Sequence, residues 1–84
     1  MSIAFPNPLL RYSVVEAALA REIAQGRWQP GTRLPGEDAL IARFQVSRST
    51  VRRATQNLAL RGLVKAFPGR GTYVLPPAAT AAAV

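Results

Sequence analysis

The apolar positions of the chain change period once, from helical to strand-like. Tyr12, Val15, Leu19 and Ile23 recur at three- and four-residue steps, the spacing that gathers side chains on one helical face. Ser13 and Glu16 lead that stripe in the pattern of a capping box, in which the hydroxyl accepts from a first-turn amide and the carboxylate reaches back. Gly26 offers the left-handed residue that ends a helix, so the pattern predicts a first helix over 13–25. Leu40, Ile41 and Phe44 form a second stripe behind Gly36-Glu37-Asp38, whose two acids suit the positive end of a helix dipole. A third stripe, Val51, Ala54 and Leu58, follows Ser47, a good N-cap, and stops at Gly62.

Between the first two helices, Trp28-Gln29-Pro30-Gly31 is a turn signal. Thr32-Arg33-Leu34 is extended, since the residue before Pro35 is pushed out of the helical region. Gln45-Val46 links helices two and three. Beyond Gly62, the runs 63–67 and 72–75 read as strands joined by Pro68-Gly69-Arg70-Gly71. The predicted order is helix, short strand, helix, turn, recognition helix, two-stranded wing. That is a mainly α fold with a small β-hairpin, a winged helix-turn-helix over 10–75 with its helix-turn-helix near 37–56. Residues 1–9, with Pro6 and Pro8, read as a flexible arm, and the Pro/Ala-rich residues 76–84 as a linker or tail.

Composition narrows what such a domain does. Eighty-four residues give room for one domain. With no Cys and no His, the chain has neither a thiolate metal site nor the commonest general base, so the expectation is no catalytic residue, no metal and no enzyme. The N-terminus lacks the pattern of a signal peptide, and no run approaches the roughly 20 apolar residues that span a bilayer; a cytoplasmic, nucleoid-associated protein is expected. The net charge is +7, from eleven basic and four acidic residues, and all but Lys65 of the basic set are Arg. That balance points to an anionic partner.

Helix three sharpens the point. Opposite its apolar sector lie Arg48, Ser49, Arg52, Arg53 and Gln56, and the run from Ser47 to Arg61 holds no acid. Unneutralised like charges one turn apart disfavour a bare helix, so a polyanion is expected against them. Recognition helices enter the major groove by their N-terminal residues. Arg48 and Arg52 are candidates for guanine O6 and N7, Ser49 and Thr50 for phosphate or a thymine methyl, and Arg53 for backbone phosphate. In the wing, Gly69 and Gly71 let the backbone approach a duplex while Arg70 enters the minor groove. Arg33 and Thr72 complete the candidate contacts. Tyr12, Trp28, Phe44 and Tyr73 fall on the predicted core side, which argues against base stacking on a single strand.

In its Pro30-Gly31, Leu34-Pro35, Glu37, Leu40, Phe44, Val46-Ser47-Arg48, Thr50-Val51-Arg52, Gly62-Leu63-Val64 and Gly69-Arg70-Gly71-Thr72 elements, the chain resembles the GntR family of transcription regulators, and its Gly-Arg-Gly-Thr-Tyr-Val ending the HutC-like branch. The resemblance implies sequence-specific binding of a short inverted repeat in double-stranded DNA, a homodimeric parent repressor, and a monomeric fragment. It implies major-groove contacts from Arg48, Ser49, Thr50 and Arg52 and a wing at 69–71. It also implies a C-terminal domain for a small-molecule effector, absent from these 84 residues, with no cofactor in the fragment itself. Three positions depart from the family: Gly36 for a usual Ser, Asp38 where relatives often carry Arg or another polar residue, and Thr55 for a common Leu. Alternative readings are a winged-helix protein-interaction module, with the arginines on an acidic partner, and the DNA-binding part of an aminotransferase-like fusion regulator.

Overall fold

A computed structural model describes residues 11–76; the arm predicted at 1–9 and all but Pro76 of the tail lie outside the described residues. Helix α1 spans Arg11–Ala24 and so begins ahead of Ser13, which lies within it and does not cap it. Glu16 does not turn back along its own helix either. Its two carboxylate oxygens accept from Asn57 Nδ2 at 3.0 Å and Arg61 Nη1 at 2.9 Å, the one on the third helix and the other at its C-cap. A donor pair on a packed neighbour, one of them charged, outcompetes the local amide. The predicted stop at Gly26 holds. With φ at +83°, Gly26 donates to Ile23 O at 3.1 Å while Arg27 donates to Glu22 O at 2.9 Å, the paired bonds of a Schellman ending.

Helix α2 spans Glu37–Phe44 with Gly36 as its N-cap. Gln45 then adopts a left-handed backbone, with φ 55° and ψ 51°, and donates to Ile41 O at 2.7 Å. Helix α3 spans Arg48–Leu60, and Ser47 Oγ caps it by accepting from the Thr50 amide at 3.1 Å. Val51, Ala54 and Leu58 are fully buried, as their spacing predicts. They face α1, α2 and the first wing strand together, which makes α3 the centre of the domain. Each fully buried side chain of Leu or Val size is worth about 1.5–3 kcal/mol.

The wing consists of β1, Val64–Phe67, and β2, Gly71–Val74, paired antiparallel from Val64↔Val74 to Phe67↔Gly71. Gly71 joins the ladder opposite Phe67, so the connection is only Pro68-Gly69-Arg70, closed by the Arg70 amide on Phe67 O at 2.8 Å. The segment 32–34 forms a single bridge, Arg33↔Tyr73, rather than a strand. It lies on the free edge of β2, where Leu34 donates to Thr72 O at 2.8 Å and Val74 to Thr32 O at 2.9 Å. Tyr12, Trp28 and Phe44 pack on the core as expected. Tyr73 does not. Strand alternation sends Val64 and Val74 inward, and Tyr73 lies instead edge-on to Phe67, ring centroids 5.7 Å apart.

One acid is built into this core. Glu22, only 7% exposed, accepts from Trp28 Nε1 at 2.9 Å and from both terminal nitrogens of Arg43, tying α1 to α2. The Arg43 bond is the main reason its pKa lies below the ordinary glutamate value, and burial opposes it only in part.

Candidate nucleic-acid interface

Because α3 buries Val51, Ala54 and Leu58, its other side is fixed outward. Arg48, Ser49, Arg52, Arg53 and Gln56 are exposed there, and Thr50 is half-buried. Ser47 Oγ lies 2.9 Å from Thr50 Oγ1 and 3.1 Å from Ser49 Oγ, so the cap gathers three hydroxyls at the head of the helix. The structure thus brings together the predicted residues of the helix.

It also corrects one expectation. The basic face is not without acid, because the turn at Gln45-Val46 sets the start of α2 against the start of α3. Glu37 Oε2 accepts from Arg52 Nε at 2.7 Å, and Glu37 Oε1 from Arg52 Nη2 at 3.3 Å and Arg48 Nη1 at 3.0 Å. Asp38 Oδ1 accepts from Arg48 Nη2 at 2.7 Å. The acids read in the sequence as partners of a helix dipole therefore also hold the arginines of the next helix. Hydrogen bonds from Arg52 and then Arg48 keep the Glu37 pKa below the ordinary glutamate value. The reciprocal bonds raise Arg48, chiefly through Asp38, and Arg52, through Glu37.

The two forks are held differently. Arg52 uses one side of its guanidinium, Nε and Nη2, on Glu37, which leaves the end that carries Nη1 uncommitted. Arg48 has both terminal nitrogens on carboxylates. Arg53 is exposed at the edge of the face, with its guanidinium 4.7 Å over the Tyr12 ring. Thr55 Oγ1 bonds to Val51 O at 3.2 Å and Arg52 O at 3.1 Å, so α3 carries this departure without a break.

The wing stands beside this face. Arg70 is exposed at its tip, between Gly69 with φ +77° and Gly71 with φ +121°. A side chain on Gly71 would also collide with the guanidinium of Arg33, which lies across it. Thr72 is half-buried in the ladder. Arg33, Glu37, Arg48, Thr55 and Gly69 line an open groove of about 460 Å³ between the wing, the start of α2 and α3.

Comparison with known proteins decides the family. The profile of the gntR family of bacterial regulatory proteins matches residues 11–74. This chain belongs to the GntR family. Among relatives of the GntR-family domain, the histidine utilization repressor of Klebsiella aerogenes is 39% identical over 66 residues, covering 79% of this chain and 27% of the relative. The transcriptional repressor NagR of Bacillus subtilis is 38% identical over 77 residues, 92% of this chain and 32% of its own length. The chain thus spans about a third or less of these relatives. Its fold matches an AraR DNA-binding domain in complex with operator ORE1, with TM-score 0.76 and 34% identity over 88% of each chain. The predicted winged helix-turn-helix is the observed fold. Among the described residues, no helix is long and apolar enough to cross a membrane.

Sequence reading missed the carboxylates of this interface and the Glu22 cluster. For Glu22 a signal was present: an acid stands inside the apolar stripe of α1, between Leu19 and Ile23.

Proposed function

We propose that this GntR-family domain reads double-stranded DNA sequence-specifically, as the DNA-reading part of a bacterial transcription repressor. The observation that carries the reading is its likeness to a domain solved on an operator, at TM-score 0.76 and 34% identity. The basic outer face of α3 supports it independently. In this reading the first half of α3 enters the major groove, and the free end of the Arg52 fork donates to a guanine edge while Glu37 fixes its direction. Ser49, Thr50, Arg33 and Thr72 meet the sugar-phosphate strand, Gln56 and Arg53 flank it, and Arg70 enters the minor groove. Arg48 stands at the head of the same face. The parent acts as a cytoplasmic homodimer on a short inverted repeat, and the domain alone is a monomer that binds a half-site. The reading assigns these residues no catalysis and no cofactor, and gives a small-molecule effector no role within them.

Selection from a random duplex library tests this directly. The wild-type domain enriches a short motif, and Arg52→Ala blurs one base position while melting at the same temperature. Failure to enrich any motif, with equal weak binding to all duplexes, would overturn sequence-specific reading by this domain.

A further inference from the structure

We propose that Asp38 determines specificity in this domain by holding the Arg48 fork back from the duplex, so that phosphate binding is weakened and base reading rests on Arg52. The inference builds on the DNA-reading function above and concerns the same face.

The Asp38 side chain is 88% exposed, yet its carboxylate lies 2.7 Å from Arg48 Nη2. Nothing in the fold demands this contact. An acid in the first turn already favours the helix from its position alone, and an ion pair this exposed does little to hold α2 against α3. What the contact does change is the donor set offered to DNA. An end-on base contact uses both terminal nitrogens of a fork. Those of Arg48 both lie on carboxylates, Glu37 and Asp38, at 3.0 and 2.7 Å, whereas Arg52 commits only Nη2 of its pair, at the longer distance of 3.3 Å, and keeps Nη1 open.

Charge gives the same answer. Arg48, Arg52, Glu37 and Asp38 form a cluster in which two cations and two anions cancel. Sequence-independent affinity follows the number of cations that neutralise phosphates and release counterions. With Asp38 neutral, the cluster gains a net positive charge and Glu37 is left to serve two arginines. One of the two anchors on Arg48 is then gone, and its fork turns to the nearest phosphate, which is the same in every sequence. Asp38 is thus a positioning residue: it acts on DNA through Arg48.

The test measures binding of the whole 84-residue chain to its selected site and to a scrambled duplex, across a salt series, for Asp38→Asn, Arg48→Ala and the double variant. Asp38→Asn is expected to tighten scrambled-duplex binding roughly three- to tenfold at low salt and to steepen the salt slope by about one. Selected-site affinity rises less, so discrimination falls. In the Arg48→Ala background the same change leaves the slope where it was. Asp38→Ser repeats the result if it acts by loss of the carboxylate, and melting curves confirm that each variant is folded. An equal gain with and without Arg48 would overturn the inference, because Asp38 would then act only through its own repulsion of phosphate. So would the absence of any gain. Wild-type chain that binds neither duplex would instead overturn the DNA-reading function, and this inference with it.

Discussion

Glu22 and Glu37 hold arginine forks at the two ends of helix α2, and in both the guanidinium bond pulls the carboxylate below its ordinary pKa. Their surroundings differ. Glu22 is 7% exposed, and beside Arg43 it meets the indole N–H of the half-buried Trp28 and, at 3.8 Å, the guanidinium of Arg27. Glu37 has a side chain 37% exposed and two arginines that point away from the core. A carboxylate largely closed off from water fastens one helix to another. One that can reach water holds its arginine in a direction, and a stronger anion can share it. Burial, and not the shift in pKa, separates the two ion pairs.

The comparison breaks most visibly at Glu22. Glu22→Ala leaves the Trp28 indole and the Arg43 fork without their acceptor, and should destabilise the domain by about 2–3 kcal/mol, read as a lower thermal midpoint. Duplex binding by the fraction that remains folded should be unchanged. Arg52→Ala is the converse. It should cost about 1–3 kcal/mol of discrimination at one base position, measured by competition between single-base variants of the selected site, with no loss in melting temperature.

Acid sharpens the contrast. The unfolded chain takes up a proton at the ordinary glutamate value, about 4.3, while folded Glu22 holds out to lower pH. Its contribution to stability is therefore complete above that value and is lost as pH falls through the folded pKa. Glu22→Gln should flatten the acid limb of a melting-temperature profile below that value and leave the neutral range level. A still smaller effect belongs to Arg70→Ala, which should weaken binding to all duplexes alike and make the salt slope shallower by about 0.9. Arg53→Ala should be smallest. Loss of its cation–π contact with Tyr12 removes about 0.5–1 kcal/mol of stability, read in urea titration.

How much of this was legible in the sequence follows from range. Val51, Ala54 and Leu58 announce their burial because a helix repeats within a few residues, and Gly26 and Gly62 announce the helix ends because few residues tolerate positive φ. Ser47 reads as a cap for the same local reason. The ion pairs do not read this way. Glu22 meets Arg43 from 21 positions away and Glu16 meets Arg61 from 45, so no window on the sequence holds both partners. The candidate DNA face was named residue by residue, yet its state was misjudged, because the acids that occupy Arg48 and Arg52 sit on another helix. Gln45 carries no mark of its left-handed backbone, since the turn and not the residue type imposes it.

The edges of β2 carry one more consequence. Over 72–74 the strand is bonded through its backbone on both sides, to β1 and to the segment 31–34, while from Gly71 to the tip its backbone bonds reach β1 alone. Mechanically the hairpin is a cantilever, clamped at its root and free at Arg70. A sideways push on the tip bends the outer half and stops at the clamp, short of Val64 and Val74 in the core. The outer half of the wing is thus the part of the hairpin least tied to the core, whereas α3 is seated by its buried face and by Glu16 on Asn57 and Arg61.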